Sequence, residues 1–95
     1  MTKSQLIEKL MESGSELNKK ESELVVNTIF DSIGSALIGG DRVEIRGFGS
    51  FSIREREARQ ARNPKSGNLI NIPSKKTPFF KTGKELRERV DGMPQ

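Results

Sequence analysis

The chain has 95 residues, of which 32% are hydrophobic and 32% charged, with 17 Lys and Arg against 13 Asp and Glu. That length allows one domain at most. Without Cys or His the chain can form neither disulfides nor thiolate or imidazole zinc sites, and a His-based catalytic triad is excluded; no cofactor is expected.

The N-terminal stretch is charged and amphipathic. Thr2-Lys3-Ser4-Gln5 fits a capping box, and Leu6, Ile7, Leu10 and Met11 recur at helical spacing until Gly14. Asn18-Lys19-Lys20-Glu21 repeats the start signal. Leu24, Val25, Ile29, Phe30, Ile33, Leu37 and Ile38 follow at intervals of three and four up to Gly39-Gly40, which predicts a second helix of about twenty residues. One short helix cannot cover so long a stripe. Packing against a second copy is the simplest way to bury the rest, the alternative being a plain monomer core packed on the sheet. No run resembles a signal peptide or reaches membrane-spanning length, so the expected location is the cytoplasm, with no membrane partner.

From Arg42 the period changes to two. Val43 and Ile45 alternate with Arg42, Glu44 and Arg46, Gly47-Phe48-Gly49 permits a tight reversal, and Phe51 and Ile53 alternate with Ser50, Ser52 and Arg54. After a long excursion the chain returns at Pro78-Phe79-Phe80. Phe48, Phe51, Phe79 and Phe80 are therefore expected to pack between sheet and helices, with base stacking as the functional alternative. Thr82-Gly83-Lys84-Glu85 predicts a third capping box and a short helix through Leu86 and Val90, ending by Gly92 and Pro94. The amides of Thr82, Gly83 and Lys84 at its start would suit a phosphate.

The excursion, residues 54–76, is read as a projecting β-hairpin arm. Arg62-Asn63-Pro64-Lys65-Ser66-Gly67 is its turn, and Ile70 and Ile72 give the return limb a period of two. It carries Arg54, Arg56, Arg59, Arg62, Lys65, Lys75 and Lys76 against Glu55 and Glu57, a net of +5. The remaining residues hold ten basic and eleven acidic side chains, a net of −1. A cationic ribbon on a nearly neutral body is the footprint of a polyanion binder, although a charge run is often only a solvated loop. Pro64 has two compatible readings. It is a natural turn residue, and an exposed rigid ring between cationic limbs is also a wedge of the kind pushed between base steps from the minor groove.

Gly47-Phe48-Gly49-Ser50-Phe51, with Arg59, Ala61 and Asn63-Pro64-Lys65-Ser66-Gly67, resembles the bacterial HU and integration host factor family of DNA-bending proteins. The resemblance runs on through Phe80-Lys81-Thr82-Gly83-Lys84-Glu85-Leu86. Over Val43-Glu44-Ile45-Arg46-Gly47-Phe48-Gly49-Ser50-Phe51 it is closest to the integration host factor beta subunit. Since that family supplies standing examples of the proline wedge, the wedge reading of Pro64 is inherited from it. Departures are Ala61 in place of a common glycine, Ser66 in place of threonine, and the acidic Glu55 and Glu57 at the root of the arm.

The resemblance implies an α+β fold in one domain, residues 1–95, forming an intertwined dimer. Residues 1–40 would be the helical dimerisation base, 41–81 the three-stranded antiparallel sheet extended into the arm, and 82–95 the short C-terminal helix and tail. Double-stranded DNA would be held in the minor groove and bent, with Pro64 intercalating. Arg59, Arg62, Asn63 and Lys65 would be groove and phosphate contacts of the arm, joined by Arg54, Arg56, Lys75 and Lys76 at its root. Glu44 and Arg46 match residues tied to sequence preference, and Lys3, Lys84 and the Gly83 amide would meet phosphates on the body. A heterodimer with an alpha-type subunit is implied, acting in nucleoid organisation, recombination, replication, transcription and translation control. An HU-like homodimer and, from another class, a basic RNA-binding module are the alternatives. An enzyme is the least supported, because nothing in the chain groups into a catalytic constellation.

Overall fold

The structure, a computed structural model, describes residues 1–92. Helix α1 (Lys3–Glu12) opens with the predicted capping box: the Gln5 N–H donates to Thr2 Oγ1 at 3.2 Å and the Thr2 N–H to Gln5 Oε1 at 2.8 Å. Helix α2 (Lys19–Ile38) opens the same way, through Asn18 and Glu21. Its twenty residues span ~30 Å. Five strands follow, β1 (Val43–Ile45), β2 (Gly49–Arg56), β3 (Arg59–Arg62), β4 (Leu69–Ile72) and β5 (Lys75–Thr82), and then helix α3 (Lys84–Val90). The predicted stop at Pro94 and the tail lie outside the described residues.

Strands β1, β2 and β5 form one antiparallel sheet in that order, while β3 and β4 pair separately. The expected single hairpin over 54–76 is thus two ribbons in series. Pairing of β2 with β5 continues to Arg56↔Lys75 and resumes at Arg59↔Ile72. Glu57-Ala58 and Pro73-Ser74 lie between them. Pro73 has no N–H for a ladder, which accounts for an interruption at this level. Arg54, Arg56, Lys75 and Lys76 consequently belong to the body sheet.

The third capping box does not form. Thr82 is held opposite Gly49 as the last residue of β5, so its side chain does not cap α3; Gly83 takes the cap position without a side-chain bond. Elsewhere two glycines are dictated by geometry. The Phe48 N–H donates to Ile45 C=O at 2.9 Å across the β1–β2 turn, where Gly47 has φ +83°. A Cβ on Gly49 would stand 2.5 Å from the Lys81 carbonyl oxygen and 2.6 Å from the Phe80 ring.

Burial is sparse. Helix α1 packs on α2, and Ile7, Val26 and Ser22 are the only buried residues among the described residues. Along α2, Ile29 and Phe30 remain about half exposed and Ile38 is 90% exposed; Val90 of α3 is 78% exposed. The radius of gyration is 19.3 Å, against ~13 Å for a compact domain of about this size. The described chain measures 60 × 36 × 28 Å. Neither its shape nor its core is that of a self-sufficient monomer. No helix among the described residues is long and apolar enough to cross a membrane.

Candidate nucleic-acid interface

Register sorts the sheet into two faces, because directly paired residues point the same way and neighbours along a strand point oppositely. One face carries Val43, Phe51, Ile53, Glu55, Lys76, Pro78 and Phe80. There Phe80 packs against Phe51 and Phe48 with tilted rings, centroids 4.8 and 5.4 Å apart. Ile53, Glu55, Lys76 and Pro78 border a groove shared with the C-terminal end of α2. The other face carries Glu44, Ser50, Ser52, Arg54, Arg56, Lys75, Thr77, Phe79 and Lys81.

This second face gathers most of the charge. Arg54, Arg56, Lys75 and Lys81 share it with a single carboxylate, Glu44, whose Oε1 lies 3.1 Å from Arg42 Nε. Arg56 and Lys75 stand directly opposite each other. Like charges in that position destabilise a sheet, so their juxtaposition favours an external anion. Ser50, Ser52 and Thr77 interleave them with hydroxyls, a composition suited to phosphate oxygens.

Two residues differ from expectation here. Lys76 falls on the opposite face, across from Glu55, which also answers where that acid sits: its cross-strand neighbour is a lysine. Phe79 lies apart from the aromatic cluster of Phe48, Phe51 and Phe80, with the Arg54 guanidinium 3.6 Å above its ring. Lys81 was missed by the sequence reading. The period of two through Pro78, Phe79 and Phe80 extends to it and could have placed it beside Lys75 and Thr77.

The turn between β1 and β2 presents Arg46 next to Gly47, and Arg42, Glu44, Arg46, Ser50 and Lys81 border one shallow depression with Gly83. The Gly83 amide is not available to a phosphate, however. It donates to Phe48 C=O at 2.9 Å, tying the start of α3 to the β1–β2 turn. Lys84, one residue on, is exposed, with Nζ 3.9 Å from Glu88. Lys3 heads α1 and donates from Nζ to Asn27 Oδ1 of α2 at 3.0 Å.

The outer ribbon has a different charge pattern. Arg59 shares a face with Ala61, Ile70 and Ile72, whereas Arg62 shares the other with Gln60, Leu69 and Asn71. At the tip, Asn63 is the organiser. Its N–H donates to Asn68 C=O, its C=O accepts from the Gly67 N–H and its Oδ1 accepts from the Lys65 N–H, each at 2.8 Å. An N–H of the Arg62 guanidinium donates to Gly67 C=O at 2.9 Å, and the Asn68 N–H to Ser66 Oγ at 3.3 Å. Asn63 is half-buried by these bonds while Pro64 and Lys65 are exposed. The loop is therefore fixed from within, with its proline outward.

The chain is similar to known DNA-binding proteins. Over residues 1–91 the chain matches the family model described as bacterial DNA-binding protein. It is 40% identical to Anabaena HU in an HU–DNA cocrystal structure, covering 95% of this chain and 97% of that one with a TM-score of 0.84. A point variant of HU from Thermotoga maritima is 32% identical over 95% of this chain and 99% of its own, with a TM-score of 0.69. With the fold and nearly the full length matched, the chain belongs to the bacterial DNA-binding protein family, alongside HU.

Proposed function

We propose that the protein is one subunit of a dimeric architectural protein that grips duplex DNA through the minor groove and bends it, in the nucleoid of the cytoplasm. The observation that carries this reading is the continuity of one cationic sheet face with an arm whose tip is hydrogen-bonded into a fixed loop around an outward Pro64. Unstacking a base step costs a few kcal/mol, and bending 20–30 base pairs costs about 1–6 kcal/mol more. Phosphate contacts along Arg54, Arg56, Lys75 and Lys81, with Lys3 and Lys84 on the body, offset both. Arg59, Arg62 and Lys65 act in the groove, and Asn63 holds the tip. The exposed apolar faces of α2 and α3 are covered by the second subunit.

For the identity of that subunit, the Val43–Phe51 segment with Glu44 and Arg46 supports an integration host factor beta-type chain paired with an alpha-type partner. The 40% identity to Anabaena HU favours a second reading, a homodimer. Native mass of the chain expressed alone separates them: a stable homodimer removes the need for an alpha-type partner.

End-to-end fluorescence transfer on a labelled duplex tests the bend. Pro64→Ala is expected to lower transfer while reducing affinity less, because the wedge sets the kink and the cations supply most of the binding. A duplex left straight by the wild-type protein at low salt and saturation would falsify the function. Equal binding of duplex RNA and pre-bent DNA would instead support an RNA-binding module, for which a wedge has little purpose.

A further inference from the structure

One aromatic ring stands on the cationic face. Along β5 that face reads Lys75, Thr77, Phe79, Lys81, and Phe79 alone of these is half-buried. What covers it is Arg54, whose guanidinium carbon lies 3.6 Å from the ring centroid. The two are diagonal neighbours, Phe79 opposite Ser52 and Arg54 opposite Thr77, within reach of a long side chain. Among the described residues no carboxylate forms an ion pair with Arg54. A ring already covered by a guanidinium is not a free platform for a base. A guanidinium stacked in this way is oriented yet keeps N–H donors at its edge for an incoming oxyanion.

We infer that Phe79 is a positioning residue: its ring holds the Arg54 guanidinium over the cationic face at the root of the arm, preset for a backbone phosphate of the bound duplex. The inference rests on the DNA-binding reading above. Its physical basis is preorganisation, since a free arginine must be immobilised on binding whereas a stacked one has already lost part of that freedom. Continuity with Arg56 and Lys75, the next cations on the same face, gives the stacked group its place in a phosphate track.

A double-mutant cycle tests it. Affinity for a labelled, nicked duplex is measured for the wild type, F79L, R54Q and the double variant, with the melting temperature of each. Loss of an exposed cation–π contact should weaken binding roughly two- to fivefold in F79L, and the same change should add nothing in the R54Q background. F79W keeps a ring and should bind as the wild type does. As the chain has no Trp or Tyr, its emission reports the stack directly, and R54Q should shift it in the free protein. Equal losses from F79L with and without Arg54 mark a merely structural ring and overturn the inference, as does emission indifferent to R54Q. Should F79L not fold, F79M, nearer in volume, carries the same cycle. A wild-type protein that leaves the duplex unbound overturns the DNA reading, and this inference with it.

Discussion

Lys75 and Lys76 are adjacent, exposed and of equal charge, yet register gives them opposite surroundings. Lys75 faces Arg56 on the cationic side of the sheet; Lys76 faces Glu55 on the side that borders α2. Substituting each by Gln should therefore separate two effects. K75Q removes a like-charge neighbour, so folding stability should hold or rise slightly, while DNA binding loses a phosphate contact. K76Q removes an opposite-charge neighbour, so stability should fall slightly while the phosphate contacts stay intact. Each lost contact lowers the slope of log affinity against log salt by ~0.9, which between about 50 and 200 mM salt is roughly a 3.5-fold smaller loss of affinity. A homodimer carries the change in both arms, giving a slope change of ~1.8 and a factor of roughly twelve. Fluorescence anisotropy of a labelled duplex across a salt series measures this, with chemical denaturation for the stability arm. If K76Q flattens the slope as much as K75Q does, the two-faced assignment of the sheet is wrong.

Two further predictions concern the body. G49A brings a methyl against the Lys81 carbonyl oxygen and the Phe80 ring, and overpacking of this kind should cost about 1–3 kcal/mol in denaturant unfolding; an unchanged midpoint would mean that β2 and β5 can separate freely. Ser22 is fully buried and its hydroxyl has no hydrogen-bond partner among the described residues. S22A should accordingly stabilise the protein by about 1 kcal/mol, and a lower melting temperature instead would show that the hydroxyl contributes to the packing of α1 on α2.

The helices were legible because their signals are local. Thr2 with Gln5 and Asn18 with Glu21 need only three residues of context, and both boxes form as read. Thr82 with Glu85 carries the same signature and fails, since Thr82 is held in a ladder with a strand thirty-three positions earlier in the chain. That constraint is invisible locally. Strand periods placed Val43, Phe51 and Ile53 correctly, yet they do not state which residue of β5 opposes which of β2. Only the register Phe51↔Phe80 and Ser52↔Phe79 shows that two consecutive phenylalanines lie on opposite faces of the sheet. Among the expected contacts, Arg54, Arg56 and Lys75 come together on one face, whereas Lys76 leaves it and the Gly83 amide is already engaged. The tip bonds made by the Asn63 backbone and side-chain oxygen carry no signature in the local sequence.

The change of charge pattern along the arm coincides with the break in its ladder. In the body sheet Arg54, Arg56, Lys75 and Lys81 keep to one side, Lys76 alone lying on the other opposite Glu55, as suits a surface laid against a duplex; beyond Glu57-Ala58 and Pro73-Ser74, Arg59 and Arg62 occupy opposite sides of the ribbon. A ribbon resting on DNA uses one side. A ribbon inside a groove meets a wall on each, and the phosphates flanking a minor groove ~6 Å wide lie on both. The interruption is thus where the chain would pass from supporting the duplex to entering it, and free residues at that point allow the outer ribbon to take a direction the sheet does not impose. Beyond it, Pro64 and Lys65 are exposed on a tip where Arg62, Asn63, Ser66, Gly67 and Asn68 are hydrogen-bonded among themselves. A wedge must be stiffer than the stack it opens, and under the proposed DNA-bending function the hydrogen bonds of Asn63 and Arg62 would add to the stiffness of the proline ring.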